Sequence, residues 1–85
     1  MASTTANRHG RLYWQCRRGM RELDLLLGAY LERRYDQAPA AERQAFERLL
    51  SYPDQVLFEV LLGRQTLSEK ELADVIERIR APADP

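Results

Sequence analysis

Residues 23–31 read Leu-Asp-Leu-Leu-Leu-Gly-Ala-Tyr-Leu and contain apolar residues at the spacing of an α-helix. These apolar residues recur at intervals of three and four positions: Leu23, Leu26, Leu27, Tyr30 and Leu31. That spacing puts them on one face of an α-helix, which other apolar surface must cover. No segment of the sequence shows the sustained alternation that a half-buried strand requires. The sequence therefore predicts an all-α fold.

Breaks on both sides of this helix divide the chain into about five short helices. Gly19 predicts the end, or a kink, of a first helix over about residues 6–18, because glycine tolerates a left-handed cap. The stretch 36–39 predicts a break before a third helix. The stretch 52–54 predicts another break before a fourth helix, which stops near Gly63. Short helices with tight connections indicate a compact bundle.

The fifth helix is predicted to begin at Ser68, because Ser68 and Glu71 have the spacing of a capping box. Apolar periodicity also predicts which side chains of the last three helices face the core. These are Ala45, Phe46, Leu49, Leu50, Val56, Leu57, Val60, Leu61, Leu72, Val75, Ile76 and Ile79.

Length and composition limit what the chain can be. With 85 residues, 45% hydrophobic and 31% charged, it has apolar material for one core and no room for a second. We expect one domain over residues 1–85, ordered over about 8–80 and frayed at its ends.

Cys16 is the only cysteine, which excludes an internal disulfide and favours a reducing compartment. No apolar run approaches the roughly 20 residues of a membrane span, so we expect a cytoplasmic protein without membrane contact.

The sequence offers no catalytic constellation. His9 is the only histidine and lies in a polar segment that does not shelter it. Cys16 is predicted to be a small buried hydrophobe, although Arg17 and Arg18 beside it favour a lower thiol pKa. The glycines stand too far apart for a phosphate-binding loop or a dinucleotide fingerprint. We therefore expect no enzyme, no bound cofactor and no metal site.

Charge is distributed unevenly along the chain. Residues 1–21 carry +5 and residues 22–85 carry −5, although the formal net charge is zero. Such asymmetry indicates either a docking face for nucleic acid or an acidic protein, or merely a solvated first helix. Charge alone does not separate these interpretations.

The junction of the first two helices combines charged and apolar side chains around a glycine. Residues 11–24 read Arg-Leu-Tyr-Trp-Gln-Cys-Arg-Arg-Gly-Met-Arg-Glu-Leu-Asp. In a purely structural interpretation Gly19 is a cap, while Glu22 and Asp24 complement the dipole of the second helix. The same interpretation leaves Arg17, Arg18 and Arg21 solvated. That interpretation does not explain why Trp14 and Met20 accompany them.

This junction resembles the signature Arg-Gly-x-x-Glu of the small bacterial flavinylation assembly factors called SdhE or YgfY. Here the motif reads Arg18-Gly19-Met20-Arg21-Glu22. The resemblance extends outward from Arg11 to Asp24 and covers about residues 8–80. It departs from the family at Val60, where members commonly carry tryptophan.

The resemblance implies a five-helix bundle that binds the flavoprotein subunit of succinate dehydrogenase, and often of fumarate reductase. It also implies that the protein promotes covalent attachment of FAD to a histidine of that subunit, so the reacting groups would belong to the partner. The partner-binding residues that it implies are Trp14, Arg17, Arg18, Gly19, Met20, Arg21, Glu22 and Asp24.

The resemblance also suggests a role for several of these residues. Gly19 would let the partner backbone approach closely, and Glu22 would accept hydrogen bonds. Arg18 would offer its planar fork to a carboxylate or a carbonyl. Met20 and Trp14 would add apolar contact, with burial of Trp14 in the core as the open alternative.

Two other functions remain open at this point. The basic N-terminal stretch is compatible with a nucleic-acid-binding module, although Glu22 and Asp24 would repel phosphate. A helical regulatory adaptor of the antitoxin kind would use the same surfaces for another protein, and fold alone does not separate these classes.

Overall fold

Residues 10–81 are described by a computed structural model and form five α-helices and one short 3-10 helix. The α-helices are α1 (Gly10–Gln15), α2 (Arg21–Arg33), α3 (Ala40–Leu49), α4 (Asp54–Leu61) and α5 (Lys70–Arg80). The 3-10 helix (Tyr35–Gln37) connects α2 to α3. The predicted all-α class is confirmed, since residues 10–81 contain no strand.

Helix α5 packs against α2, α3 and α4, so it forms the centre of the bundle. The predicted inward positions are all buried except Leu26 and Val56, which are partly buried and pack against the same core. Tyr30 and Tyr35 flank the fully buried Phe46, with ring centroids 4.5 and 5.8 Å from that of Phe46. Apolar periodicity therefore predicted the core correctly.

The connections follow the predicted breaks with small shifts. Pro39 and Pro53 precede α3 and α4 as N-cap residues in extended conformation. Gly63 has a φ of +82° and ends α4 in a Schellman motif, in which the Arg64 amide donates to the Glu59 carbonyl at 2.8 Å. The predicted end of the fourth helix near Gly63 is thus confirmed.

The predicted capping box at Ser68 is wrong. Helix α5 begins at Lys70, with Glu69 as its N-cap residue and no side-chain cap hydrogen bond. Arg48 on α3 accounts for the difference, because it forms ion pairs with the carboxylates of both Glu69 and Glu71. These tertiary contacts draw the Glu71 carboxylate away from the position that a capping box requires.

The first helix ends earlier than predicted. Helix α1 stops at Gln15 instead of near residue 18, and the chain turns before Gly19. The amides of Arg18 and Gly19 donate to the Asp24 carboxylate instead of to helical carbonyls. The predicted start near residue 6, His9 and the predicted frayed ends lie outside the described residues.

None of the helices within residues 10–81 is both long enough and apolar enough to cross a bilayer.

Candidate partner-binding surface

Residues 17–24 form the corner between α1 and α2, and Asp24 shapes it. Its Oδ1 accepts a hydrogen bond from the Arg18 amide at 2.6 Å, and its Oδ2 accepts one from the Gly19 amide at 3.2 Å. The Asp24 amide in turn donates to the Met20 carbonyl at 2.8 Å. Asp24 is half-buried, so its carboxylate fixes the backbone of the corner from the inside.

The Arg18 guanidinium ties the corner to the turn between α3 and α4. Nε donates to the Gln15 carbonyl at 2.7 Å, and Nη1 donates to Asp54 Oδ1 at 2.8 Å and to the Tyr52 carbonyl at 3.3 Å. Nη2 donates to the Leu50 carbonyl. The Arg18 side chain is only 15% exposed. The resemblance implied that the planar Arg18 guanidinium binds a carboxylate or carbonyl of the partner. In the structure it bonds to acceptors of its own chain instead, so Arg18 positions the corner.

Gly19 lies at the outside of the corner with a φ of +81°. A side chain is strained in this left-handed conformation, which explains the glycine. A Cβ built on Gly19 would have no heavy atom of the described chain within 4 Å. The outer side of the Gly19 backbone is therefore open to another molecule.

Arg21 and Glu22 begin α2 and are exposed. Within residues 10–81 neither side chain forms a hydrogen bond or an ion pair. Glu22 complements the N-terminal dipole of the helix, as predicted, yet its carboxylate keeps its hydrogen-bonding capacity. Met20, which precedes both, is half-buried and packs against the core.

Trp14 is 67% exposed, which decides between the two predicted placements in favour of the surface. Its ring contacts that of Tyr13 edge to face, with centroids 5.3 Å apart. The Arg17 guanidinium lies 5.9 Å from the Trp14 centroid and 6.0 Å from that of Tyr13. These contacts hold a large apolar side chain beside the corner, and such side chains are enriched at interfaces.

The structure thus divides the eight predicted site residues into two sets. Outward-facing residues are Trp14, Arg17, Gly19, Arg21 and Glu22. Inward-facing or half-buried residues are Arg18, Met20 and Asp24. The ion pair with Asp54 offsets the positive charge of Arg18, one of the arginines of the basic N-terminal stretch. This weakens the case for phosphate binding by that stretch.

Sequence reasoning missed two residues of this region. Asp54 accepts a hydrogen bond from the Arg18 guanidinium although it lies 36 residues further along the chain. No local sequence pattern indicates that this pair will form. Leu25 is 62% exposed next to the corner, and it could have been found because it lies off the buried stripe of α2.

Cys16 lies beneath the corner and is 1% exposed, which confirms the predicted buried position. Burial raises the pKa of its thiol to about 12, although the nearby Arg18 acts in the opposite direction. The thiol is therefore protonated at neutral pH and is a poor nucleophile there. Within residues 10–81 no cluster of histidine, cysteine or acidic side chains is arranged to hold a metal ion.

The fold and this surface define a small helical bundle that presents a preorganised charged corner beside an exposed tryptophan. The family model Sdh5, described as flavinator of succinate dehydrogenase, matches residues 10–83, and the chain belongs to this family.

Named relatives agree with this assignment. The chain is 44% identical to the FAD assembly factor SdhE of Methylococcus capsulatus over 75 residues, which are 88% of this chain and 90% of the relative. It is 41% identical to the FAD assembly factor SdhE of Legionella pneumophila over 70 residues, 82% of this chain and 87% of the relative. It is 37% identical to that of Coxiella burnetii over 70 residues, 82% and 85% of the two chains.

Proposed function

We propose that this chain is a non-enzymatic assembly factor of the cytoplasm. It binds the flavoprotein subunit of succinate dehydrogenase or of fumarate reductase and promotes covalent attachment of FAD to that subunit. Membership of the flavinator family and the names of its relatives support this function. The structural observation that carries it is the corner, where Gly19 and Glu22 face outward on a backbone fixed from within.

Such a factor acts by binding one conformation of its partner more tightly than others. A rigid corner suits this task, because little conformational entropy is lost when it docks. Asp24 and Arg18 supply the rigidity through hydrogen bonds inside the chain. The bound subunit then holds flavin and acceptor histidine in the geometry of reaction, and the bond forms between groups of the partner and its cofactor.

The outward residues supply the contacts. The Glu22 carboxylate accepts hydrogen bonds from partner donors, and Gly19 allows a close approach of the partner backbone. Trp14 covers apolar partner surface next to these polar contacts. Arg17 and Arg21 face partner carboxylates.

The test substitutes Glu22 by alanine and measures covalent flavin in the coexpressed flavoprotein subunit by in-gel fluorescence after denaturation. Loss of a buried interfacial charge costs about 2 to 5 kcal/mol of binding, so we expect covalent flavin to fall by about thirtyfold or more at limiting factor concentration. Glu22→Gln should be partly active, because the amide oxygen still accepts hydrogen bonds.

Glu71→Ala is the matched control. Glu71 is also an exposed acidic residue in the first turn of a helix, on α5, so both substitutions remove a similar dipole interaction. Glu71 also pairs with Arg48 at 3.6 Å, so Glu71→Ala should lose as much thermal stability as Glu22→Ala or up to about 1 kcal/mol more. Only Glu22→Ala should lose flavinylation. Normal covalent flavin with a folded Glu22→Ala variant would remove the corner from the mechanism.

A further inference from the structure

A groove of about 520 Å³ runs from the corner along the outer face of α2. Side chains from α1, the corner and α2 line it, among them Tyr13, Arg17, Arg21, Leu25 and Arg33. Arg17 and Arg21 belong to both the corner and the groove, so the two form one continuous surface.

The apolar part of the groove has no cover within the described chain. Leu25 is 62% exposed there, which makes it, with Trp14, one of two large apolar side chains left exposed within residues 10–81. Gly28 lies one turn further along the groove. Glycine weakens a helix relative to alanine, and a Cβ on Gly28 would meet no heavy atom within 4 Å, so internal packing does not require glycine there.

The charged part of the groove is predominantly basic. Arg21 and Arg33 are exposed, and within residues 10–81 neither forms an ion pair. Of the two acidic lining residues, Asp24 already accepts hydrogen bonds from two backbone amides of the corner, and Glu32 alone remains to offset the arginines. A complementary occupant therefore carries carboxylates beside an apolar side chain.

We propose that this groove binds an extended segment of the partner flavoprotein in which carboxylates flank an apolar side chain. This inference rests on the proposed function and specifies the partner chemistry that its surface recognises. Arg21 and Arg33 lie twelve residues apart on α2, which is about 18 Å along the helix axis. An extended chain covers that distance in about five or six residues, which sets the separation of its two carboxylates. The apolar side chain between them packs on Leu25 and over Gly28.

Photocrosslinking tests which molecule occupies the groove. Leu25→benzoylphenylalanine is mixed with the purified flavoprotein subunit of succinate dehydrogenase, irradiated, and digested for mass spectrometry. The expected crosslink joins position 25 to a partner segment with acidic residues on both sides of the attachment point. The same crosslinker at Lys70, which is exposed at the start of α5, should give at most a tenth of that yield. A crosslink to a second copy of this chain, or to a segment without carboxylates, would overturn the proposal.

A charge reversal outside the corner separates this inference from the proposed function. Arg33→Glu should weaken binding of the subunit by about tenfold or more, because the carboxylates of groove and partner would then repel each other. Arg64→Glu is the matched control, since Arg64 is also an exposed arginine near a helix C-terminus and lies outside the groove. Its effect should stay within about twofold.

The outcomes are distinct. Unchanged binding by a folded Arg33→Glu protein, together with lost flavinylation by Glu22→Ala, would overturn the groove and leave the proposed function standing. Absence of binding between the unsubstituted chain and the subunit would overturn both.

Discussion

Replacement of Arg18 by alanine should destabilise the whole bundle, because its guanidinium joins two turns that are distant in sequence. The substitution leaves the Leu50 and Tyr52 carbonyls, both acceptors in part-buried hydrogen bonds, without their charged donor. Loss of a hydrogen bond to a charged group costs about 1.5 to 3 kcal/mol. At a part-buried site water can bond to the vacated carbonyl, which reduces this cost. The half-exposed Asp54 carboxylate adds at most about 1 kcal/mol.

The expected loss in the free energy of unfolding is therefore about 2 to 4 kcal/mol. For a domain of this size each kcal/mol lowers Tm by about 4 to 8 °C, so Tm should fall by about 8 °C or more. Urea and thermal unfolding followed by far-ultraviolet circular dichroism measure both quantities. Arg18→Lys should be intermediate, because an ammonium keeps the charge but does not span the separate acceptors of the planar fork.

Arg21→Ala is the control for loss of a positive charge, since Arg21 lies three residues further along the chain, is exposed and bonds to no other side chain within residues 10–81. Its effect should stay within about 0.5 kcal/mol. Equal stability of Arg18→Ala and Arg21→Ala would refute the reasoning, since the Arg18 hydrogen bonds would then contribute nothing measurable. Asp54→Asn removes the ion pair together with a helix-dipole interaction in the first turn of α4, and it should still cost less than Arg18→Ala.

Three further outcomes are expected. Stability should decline as pH rises above about 9, because unfolded Cys16 releases its proton near pH 9 while burial raises the pKa of the folded thiol to about 12. Burial also raises the pKa values of Tyr30 and Tyr35 from their ordinary value of 10, which adds to the decline at higher pH. Cys16→Ala should therefore remove the part of the decline in urea midpoint that begins near pH 9 and leave the tyrosine part. Ser68→Ala should change the free energy of unfolding, measured by urea denaturation, by less than about 0.5 kcal/mol, since Ser68 does not cap α5. A larger loss of stability would show that Ser68 does cap this helix. Gly28→Ala should stabilise the fold by about 0.5 to 1 kcal/mol. Gly63→Ala should destabilise it by about 1 to 2 kcal/mol because its φ is +82°, while the Arg80 guanidinium, 2.8 Å from the added Cβ, lies at the end of a flexible side chain and can move aside. Calorimetry showing the same sign for both substitutions would contradict this.

Much of the fold followed from the sequence because it depends on local pattern. The spacing of apolar residues in α2 and α5 determined which faces are buried, and Pro39, Pro53 and Gly63 marked the connections by restricting backbone dihedrals. The motif at Arg18–Glu22 located the corner, and resemblance at this short range needed no tertiary information.

Tertiary structure alone decided how the corner is built. Arg18 bonds to Leu50 and Asp54, which lie 32 and 36 residues further along the chain, and no local pattern encodes which acceptors the packed helices bring within reach. Arg48 likewise pairs with Glu71, the acidic side chain that a capping box at Ser68 needs. The sequence determined which residues form helices and which faces they bury, because periodicity is local. Packing decided which charged groups of the corner stay free for a partner, because that depends on distances between segments far apart in the chain.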